Sequence, residues 1–238
     1  MIGRGGDKLA APGMAGNAWS LATPVDISML VRPGTPEWPG DTPYSCGWTW
    51  DMAAGATVQV SAITMSPHVG THADAPLHVR PGATTSESLP LSAFVGPAYV
   101  ITLDGTPRDV ALEELRGRYP SGTERLLLRT GQSIADGTFP DDWPALSAHA
   151  AHLLAGDGLR LLGVDAPSVD RRQSTALATH HALFDGGAQL LENLDLRHVA
   201  DGPYLLVALP LRLQGLDASP VRAVLYDGPT RQAANVRP

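Results

Sequence analysis

Between Ser66 and Val79 the chain reads Ser-Pro-His-Val-Gly-Thr-His-Ala-Asp-Ala-Pro-Leu-His-Val, and such a segment has few backbone options. Pro67, Gly70 and Pro76 break a helix and interrupt a long regular strand. What remains is an irregular but extended path, along which alternate side chains point to opposite faces. The even positions are His68, Gly70, His72, Asp74, Pro76 and His78. The odd positions are Val69, Thr71, Ala73, Ala75, Leu77 and Val79, with Thr71 the one polar member. The apolar set can anchor in a core while three imidazoles and a carboxylate converge on a cleft. Neutral imidazole and carboxylate are ligands that zinc, manganese and iron accept. The segment is therefore expected to be a loop just after a strand, carrying a metal or acid–base site.

The rest of the chain predicts an α/β fold in a single domain. Its mixed β-sheet, or partly closed barrel, has flanking helices. Strands are expected at Pro24–Met29, Thr57–Met65, Tyr99–Leu103, Arg125–Arg129, Leu159–Val164, Tyr204–Leu211 and Val221–Tyr226, with Leu190-Leu191 as a further buried run. Thr57–Met65, with Val58, Val60 and Ala62 alternating, is read as the strand that delivers the histidine loop. Helices are expected over Asp109–Arg118 and Pro144–Ala155. His149 and His152 lie on the second of these and are read as solvent-facing. Residues 1–22 are read as a disordered extension, because Pro12, Gly13, Gly16 and Asn17 interrupt any signal-like apolar run. The domain proper is then 23–238.

Composition excludes several function classes. With 43% hydrophobic and 17% charged residues the chain is globular rather than disordered. A net charge of −7 argues against nucleic-acid binding, which needs a cationic surface. No apolar run approaches the roughly 20 residues that span a bilayer, so no membrane partner is expected. The single cysteine, Cys46, excludes an intrachain disulfide and a cysteine-based zinc cluster. It is compatible with a reducing compartment, and the expected localisation is cytoplasmic. No nucleophile elbow, phosphate-binding loop or dinucleotide turn is present. A metal site suited to hydrolysis of a small-molecule substrate is what remains.

Other candidates are weaker on local grounds. Trp38 sits in the proline-rich loop Arg32–Pro43, where it can be a core plug or an aromatic wall of a pocket. Asp165 and Asp170 follow a buried strand and are read as turn or capping residues, with support of a metal ligand as the alternative. Glu192 ends the Leu190-Leu191 run and is either solvated or in need of a partner or metal. His180 and His181 lie twelve and eleven residues before it.

His68-x-Gly70-Thr71-His72-x-Asp74-x-Pro76-x-His78 resembles the H-x-G-T-H-x-D-x-P-x-H signature of the metal-dependent cyclase-like hydrolases. Within that superfamily the chain is most similar to the bacterial kynurenine formamidases. The Trp38 loop, Gly163–Asp170 and Leu191-Glu-Asn-Leu-Asp195 carry this similarity. The resemblance implies a swivelling β/β/α fold and two divalent metal ions per subunit, zinc with manganese as the alternative. It implies that His68, His72 and Asp74 hold one ion and that Asp74 bridges to a second. His180 would bind the second ion, and Glu192 one or both. His78 would be the proton donor and acceptor, Trp38 would line the substrate pocket, and the protein would be a homodimer. The implied reaction is hydrolysis of N-formyl-L-kynurenine to L-kynurenine and formate. The alternatives are another amidase or lactonase of the superfamily, such as an isatin hydrolase, and a non-catalytic metal-binding protein.

Overall fold

Three successive leucines in Arg125–Arg129 set the middle of the molecule. In the computed structural model, which describes residues 23–227, Leu126 and Leu128 enter one hydrophobic cluster and Leu127 enters another on the opposite face of the same strand. A strand buried on both faces belongs at the centre of a covered sheet.

The strands of the described residues are β1 Val25–Asp26, β2 Ser45–Trp50, β3 Val60–Thr64, β4 His72–Asp74, β5 Val95–Thr102, β6 Asp109–Val110, β7 Arg125–Arg129, β8 Ala145–Leu146, β9 Leu161–Val164, β10 Gln189–Leu191, β11 Gly202–Val207, β12 Ala218–Pro220 and β13 Val224–Asp227. The helices are α1 Leu112–Leu115, α2 Ala148–Gly156 and α3 Ala178–Asp185. Seven strands form one mixed sheet in the order β1-β13-β11-β5-β7-β9-β10, curled into a half-barrel. The β5-β7-β9-β10 pairs are parallel, and the pairs on the other side are antiparallel. The α/β class and mixed, partly closed sheet are those the sequence predicts.

Two clusters of apolar side chains flank the sheet. Helices α2 and α3 cover one face through Ala150, Ala151, Leu154 and Leu183. The Ser147 hydroxyl accepts from Ala150 N at 3.1 Å and starts α2 after Pro144, which lies outside the helix. His149 and His152 are exposed on α2, as expected. Ala73 and Ala75, odd members of the histidine segment, are buried in the cluster on the other face.

Several expected boundaries shift. The first strand shrinks to β1, and the helix expected over 109–118 is only α1, because Asp109 and Val110 pair with Ala145 and Leu146 instead. Helix α3, which carries His180 and His181, has no apolar periodicity that announces it. The strand expected over 57–65 is present but shorter, as β3, and it leads into the histidine segment as expected. It is not part of the main sheet. It pairs only with β2, and every residue of both strands is exposed. Alternating β-branched residues there mark an arm rather than a core strand. The extension expected at 1–22 lies outside the described residues. No helix among those described is long and apolar enough to cross a membrane.

Candidate metal centre

The site is built around β4. On one side β4 pairs with β12, placing Ala218 opposite Asp74 and Pro220 opposite His72. On the other side His72 and Glu192 exchange both backbone hydrogen bonds, at 3.3 and 3.1 Å. The motif strand thus lies between Glu192, which follows β10, and Asp217, which precedes β12. Asp217 is tied to the motif as well, its carbonyl accepting from Ala75 N at 2.8 Å.

Gly70 and Thr71 explain the turn into β4. Gly70 has φ +75°, and a Cβ there would lie 2.4 Å from Val31 Cγ2. The buried Thr71 hydroxyl donates to Asn193 O at 2.6 Å and accepts from Met29 N at 2.9 Å. It locks the histidine segment to two other parts of the chain. Ala73 and Ala75 then face the core while His72 and Asp74 face the cluster, as the alternation predicts.

Five predicted residues come together. His68 Nδ1 lies 3.1 Å from His72 Nε2, and both lie 3.2 Å from Asp74 Oδ1. His180 Nε2 lies 3.3 Å from Asp74 Oδ2 and 3.4 Å from Glu192 Oε1. Glu192 Oε2 lies 3.6 Å from His72 Nε2. Glu192 is buried, not solvated, and its Oε1 also accepts from Val169 N at 2.8 Å. His180 rather than His181 enters the cluster; His181 Nδ1 is 3.4 Å from Arg80 Nη2.

The outward nitrogens decide what this cluster suits. His72 Nδ1 donates to Gly70 O at 2.9 Å, and His180 Nδ1 donates to Asp170 Oδ2 at 2.6 Å. His68 Nε2 donates to Asp217 Oδ2 at 3.0 Å. Neutral rings so anchored leave three bare nitrogen lone pairs aimed at two carboxylates, an arrangement that only protons or a cation can stabilise. Asp74 Oδ1 is fully buried and makes no hydrogen bond of good geometry. An unsatisfied buried carboxylate oxygen is costly. Metal-binding histidines are typically held in this way by an acceptor behind the ring. Two sets of donor atoms, His68-Asp74-His78 and His72-Asp74-Glu192, each lie within 4.8 Å of one another, and Asp74 belongs to both. These residues fit a divalent cation.

Without one, protons occupy the same positions. Burial opposes charge on His68, but Asp74 and Asp217 push it up to about 10. Burial likewise opposes charge on His72, but Asp74 and Glu192 push it up to about 9. His180, also buried, is raised by Asp170, Asp74 and Glu192. Burial raises Asp74, but the three surrounding imidazoles outweigh it and hold the carboxyl well below its ordinary value.

His78 sits at the edge, 31% exposed, with Nδ1 3.3 Å from Asp217 Oδ2. Trp38 is 41% exposed and meets Phe139 edge-on at 5.5 Å. It is a wall rather than a core plug; the buried indole beneath it is Trp143, whose Nε1 donates to Asp170 O at 2.8 Å. A cleft of about 450 Å³ is lined by Trp38, Phe139, Leu177, His78, His180 and Glu192 among others. Asp217 was not singled out in the sequence, since 149 positions separate it from His68 and no local pattern marks it. Phe139 and Trp143 were likewise missed. Asp165 has a structural role, though not in a local turn or helix cap, accepting from Thr130 N at 2.7 Å and Gly131 N at 3.1 Å. Asp170 combines both readings, as it caps α3 and holds His180.

A mixed half-barrel with an imidazole–carboxylate cluster beside the carboxyl ends of β9 and β10 defines a cyclase-fold protein with a divalent-metal site. The cyclase family model matches residues 25–171. The kynurenine formamidase of Bordetella avium is 46% identical over 85% of this chain and 97% of its own length. That of Bacillus cereus is 44% identical over 84% and 96%. The chain belongs to the kynurenine formamidase family within this cyclase group. Among solved structures, a predicted metal-dependent hydrolase from Bacillus stearothermophilus aligns with TM-score 0.72 and 30% identity, covering 86% of this chain and 98% of that one. Isatin hydrolase A from Labrenzia aggregata shares the fold, with TM-score 0.70 and 24% identity over 86% and 93%.

Proposed function

We propose that the protein hydrolyses N-formyl-L-kynurenine to L-kynurenine and formate. The observation that carries this reading is one partly exposed imidazole, His78, lining the same cleft as the donors His68, His72, His180 and Glu192 and the aromatic Trp38. Membership of the formamidase family supports the choice of substrate. His68, His72 and Asp74 would hold one cation, zinc in this proposal. His180 would hold a second, with Asp74 shared between them and Glu192 contacting one or both. Bound there, such cations supply Lewis acidity, polarising the formyl carbonyl and lowering the pKa of water.

The chain's own residues handle position and protons. Trp38, with Phe139 behind it, offers a face on which the substrate's aryl ring stacks. Water adds to the formyl carbon and the carbon–nitrogen bond breaks. The departing aniline nitrogen needs a proton, because an anilide is a poor leaving group. His78 takes a proton from the water side and returns one to that nitrogen. Although His78 falls within one of the donor sets, its Nδ1 is engaged by Asp217 and its side chain is partly exposed, which suits it to this shuttle.

Formate release before and after chelation, with elemental analysis of the same sample, tests the proposal. His78→Ala is expected to cut turnover about 100-fold or more while metal content stays intact. Equal loss of both would remove the assigned role. Running isatin beside formylkynurenine separates this substrate from the fold-level alternative.

The reading extends to a cytoplasmic homodimer. Isolated two-stranded hairpins are marginal in water. Yet the β2–β3 arm stands exposed, with Trp48 and Ile63 each more than 60% accessible. Asp51 is the only charged residue in 45–64, so an apolar surface of a second copy is a suitable cover. Sedimentation velocity tests this, and a monomer at micromolar concentration rules it out.

A further inference from the structure

One carboxylate oxygen, that of Asp217, touches both His68 of the donor cluster and His78. Asp217 Oδ2 lies 3.0 Å from His68 Nε2 and 3.3 Å from His78 Nδ1. The two rings lie side by side, with centroids 4.4 Å apart and planes inclined by 45°. The carboxylate is not on a free loop. Its own carbonyl accepts from Ala75 N, and the next residue, Ala218, stands in register opposite Asp74. Its position relative to the motif is therefore fixed by backbone pairing.

We infer that Asp217 is a positioning residue that sets both His68 and His78, joining metal retention to proton transfer through a single oxygen. For His68, donation from Nε2 to Asp217 leaves Nδ1 as the nitrogen that faces Asp74. For His78, donation from Nδ1 leaves Nε2 as the nitrogen available to the cleft that this side chain lines. A shuttle needs one defined nitrogen toward the substrate, because a ring that alternates between tautomers and orientations presents the wrong one part of the time. Neither His68 nor His78 has another side-chain oxygen behind the ring among the described residues. His72 and His180 have their own anchors in Gly70 O and Asp170. Asp217 is thus the shared support of the two histidines nearest the mouth. The part of this inference that concerns His78 rests on the function proposed above.

The test uses the zinc-loaded full-length protein and Asp217→Ala, Asp217→Asn, Asp217→Glu, His78→Ala and the double variant His78→Ala/Asp217→Ala. Loss of such a supporting carboxylate typically costs 10–100-fold in affinity or activity, so about that loss in kcat is expected for Asp217→Ala, with KM changed less than about threefold. In the His78→Ala background the same substitution is expected to lower kcat by less than about threefold, since groups acting as a unit are non-additive. Asp217→Glu should recover part of the loss. Chelator competition should show zinc leaving Asp217→Ala at about 10–100-fold lower chelator activity. Two-bond proton–nitrogen correlations should show His78 as a single Nδ1–H tautomer in the wild type and as a mixture in Asp217→Ala and Asp217→Asn.

Equal factors with and without His78, or an unchanged tautomer, overturn the His78 part. Unchanged zinc retention overturns the His68 part. Asp217→Asn keeps the side-chain volume and decides the matter if Asp217→Ala does not fold. Should the wild type release no formate from formylkynurenine, the proposed function fails alone, because the chelator and spectroscopic results judge Asp217 without reference to turnover.

Discussion

Asp170→Ala is the sharpest test of how the cluster is supported from behind. Asp170 Oδ1 accepts from Thr179 N at 3.0 Å, and Oδ2 accepts from His180 N at 3.1 Å and His180 Nδ1 at 2.6 Å. Helix α3 has no cap of its own, since the residue at its N-cap is Leu177, with φ 45° and no side-chain oxygen. Losing a side-chain cap costs about 1 kcal/mol. Leaving the buried His180 Nδ1–H unpaired costs about 1–3 kcal/mol more. The chelated protein should therefore lose about 2–4 kcal/mol of stability, read as a shift of the urea midpoint at constant slope. Freed to rotate, His180 should also hold metal about 10–100-fold less tightly, read by chelator competition. Asp170→Asn keeps an acceptor for the backbone amides and should recover part of the stability. A change below about 0.5 kcal/mol in Asp170→Ala, the range of an ordinary surface substitution, would show that packing alone fixes the His180 ring.

Gly70→Ala should destabilise by about 2–4 kcal/mol, combining a disfavoured positive φ with the overlap against Val31. Val31→Ala in the same chain should relieve only the overlap, and the absence of any relief in urea unfolding would count against the contact. The contribution of His68 and His72 to the stability of the chelated protein should be complete near pH 6.5 and be lost as pH rises from there. His68 and His72 have folded values near 10 and 9 against an ordinary 6.5, so the folded state binds protons that the unfolded chain has already released. A urea midpoint that climbs between pH 6.5 and 10 contradicts this. Bound metal displaces the same protons, so apparent affinity should rise with pH over that window in a metal titration. Trp38→Ala should raise KM for formylkynurenine about three- to tenfold, the value of an aromatic contact, with kcat nearly unchanged. A selective loss of kcat would move Trp38 from binding to chemistry.

Much of this site can be read in the chain. The alternation in 66–79 segregates Ala73 and Ala75 from His72 and Asp74 because extended geometry does so over any few residues. Arg125–Arg129 likewise declares a central strand through its leucines. Trp38 and Thr57–Met65 show where such reading stops. Both are apolar segments whose composition suits a core or a surface equally, and only packing assigned the first to a cleft wall and the second to an exposed arm. His180 and His181 are adjacent and chemically identical, and the pitch of α3 turns only the first toward Asp74.

What the sequence determined by itself is the chemistry of the donors and the face they share, since both follow from side-chain identity and local backbone geometry. What only the tertiary structure decided is which distant carboxylates answer them. Glu192 and Asp217 reach the motif because His72–Asp74 is held between a bridge to Glu192 and a ladder to Ala218–Pro220. Those pairings join segments more than a hundred residues apart, and their register is chosen by the packing of the whole sheet rather than by any spacing along the chain.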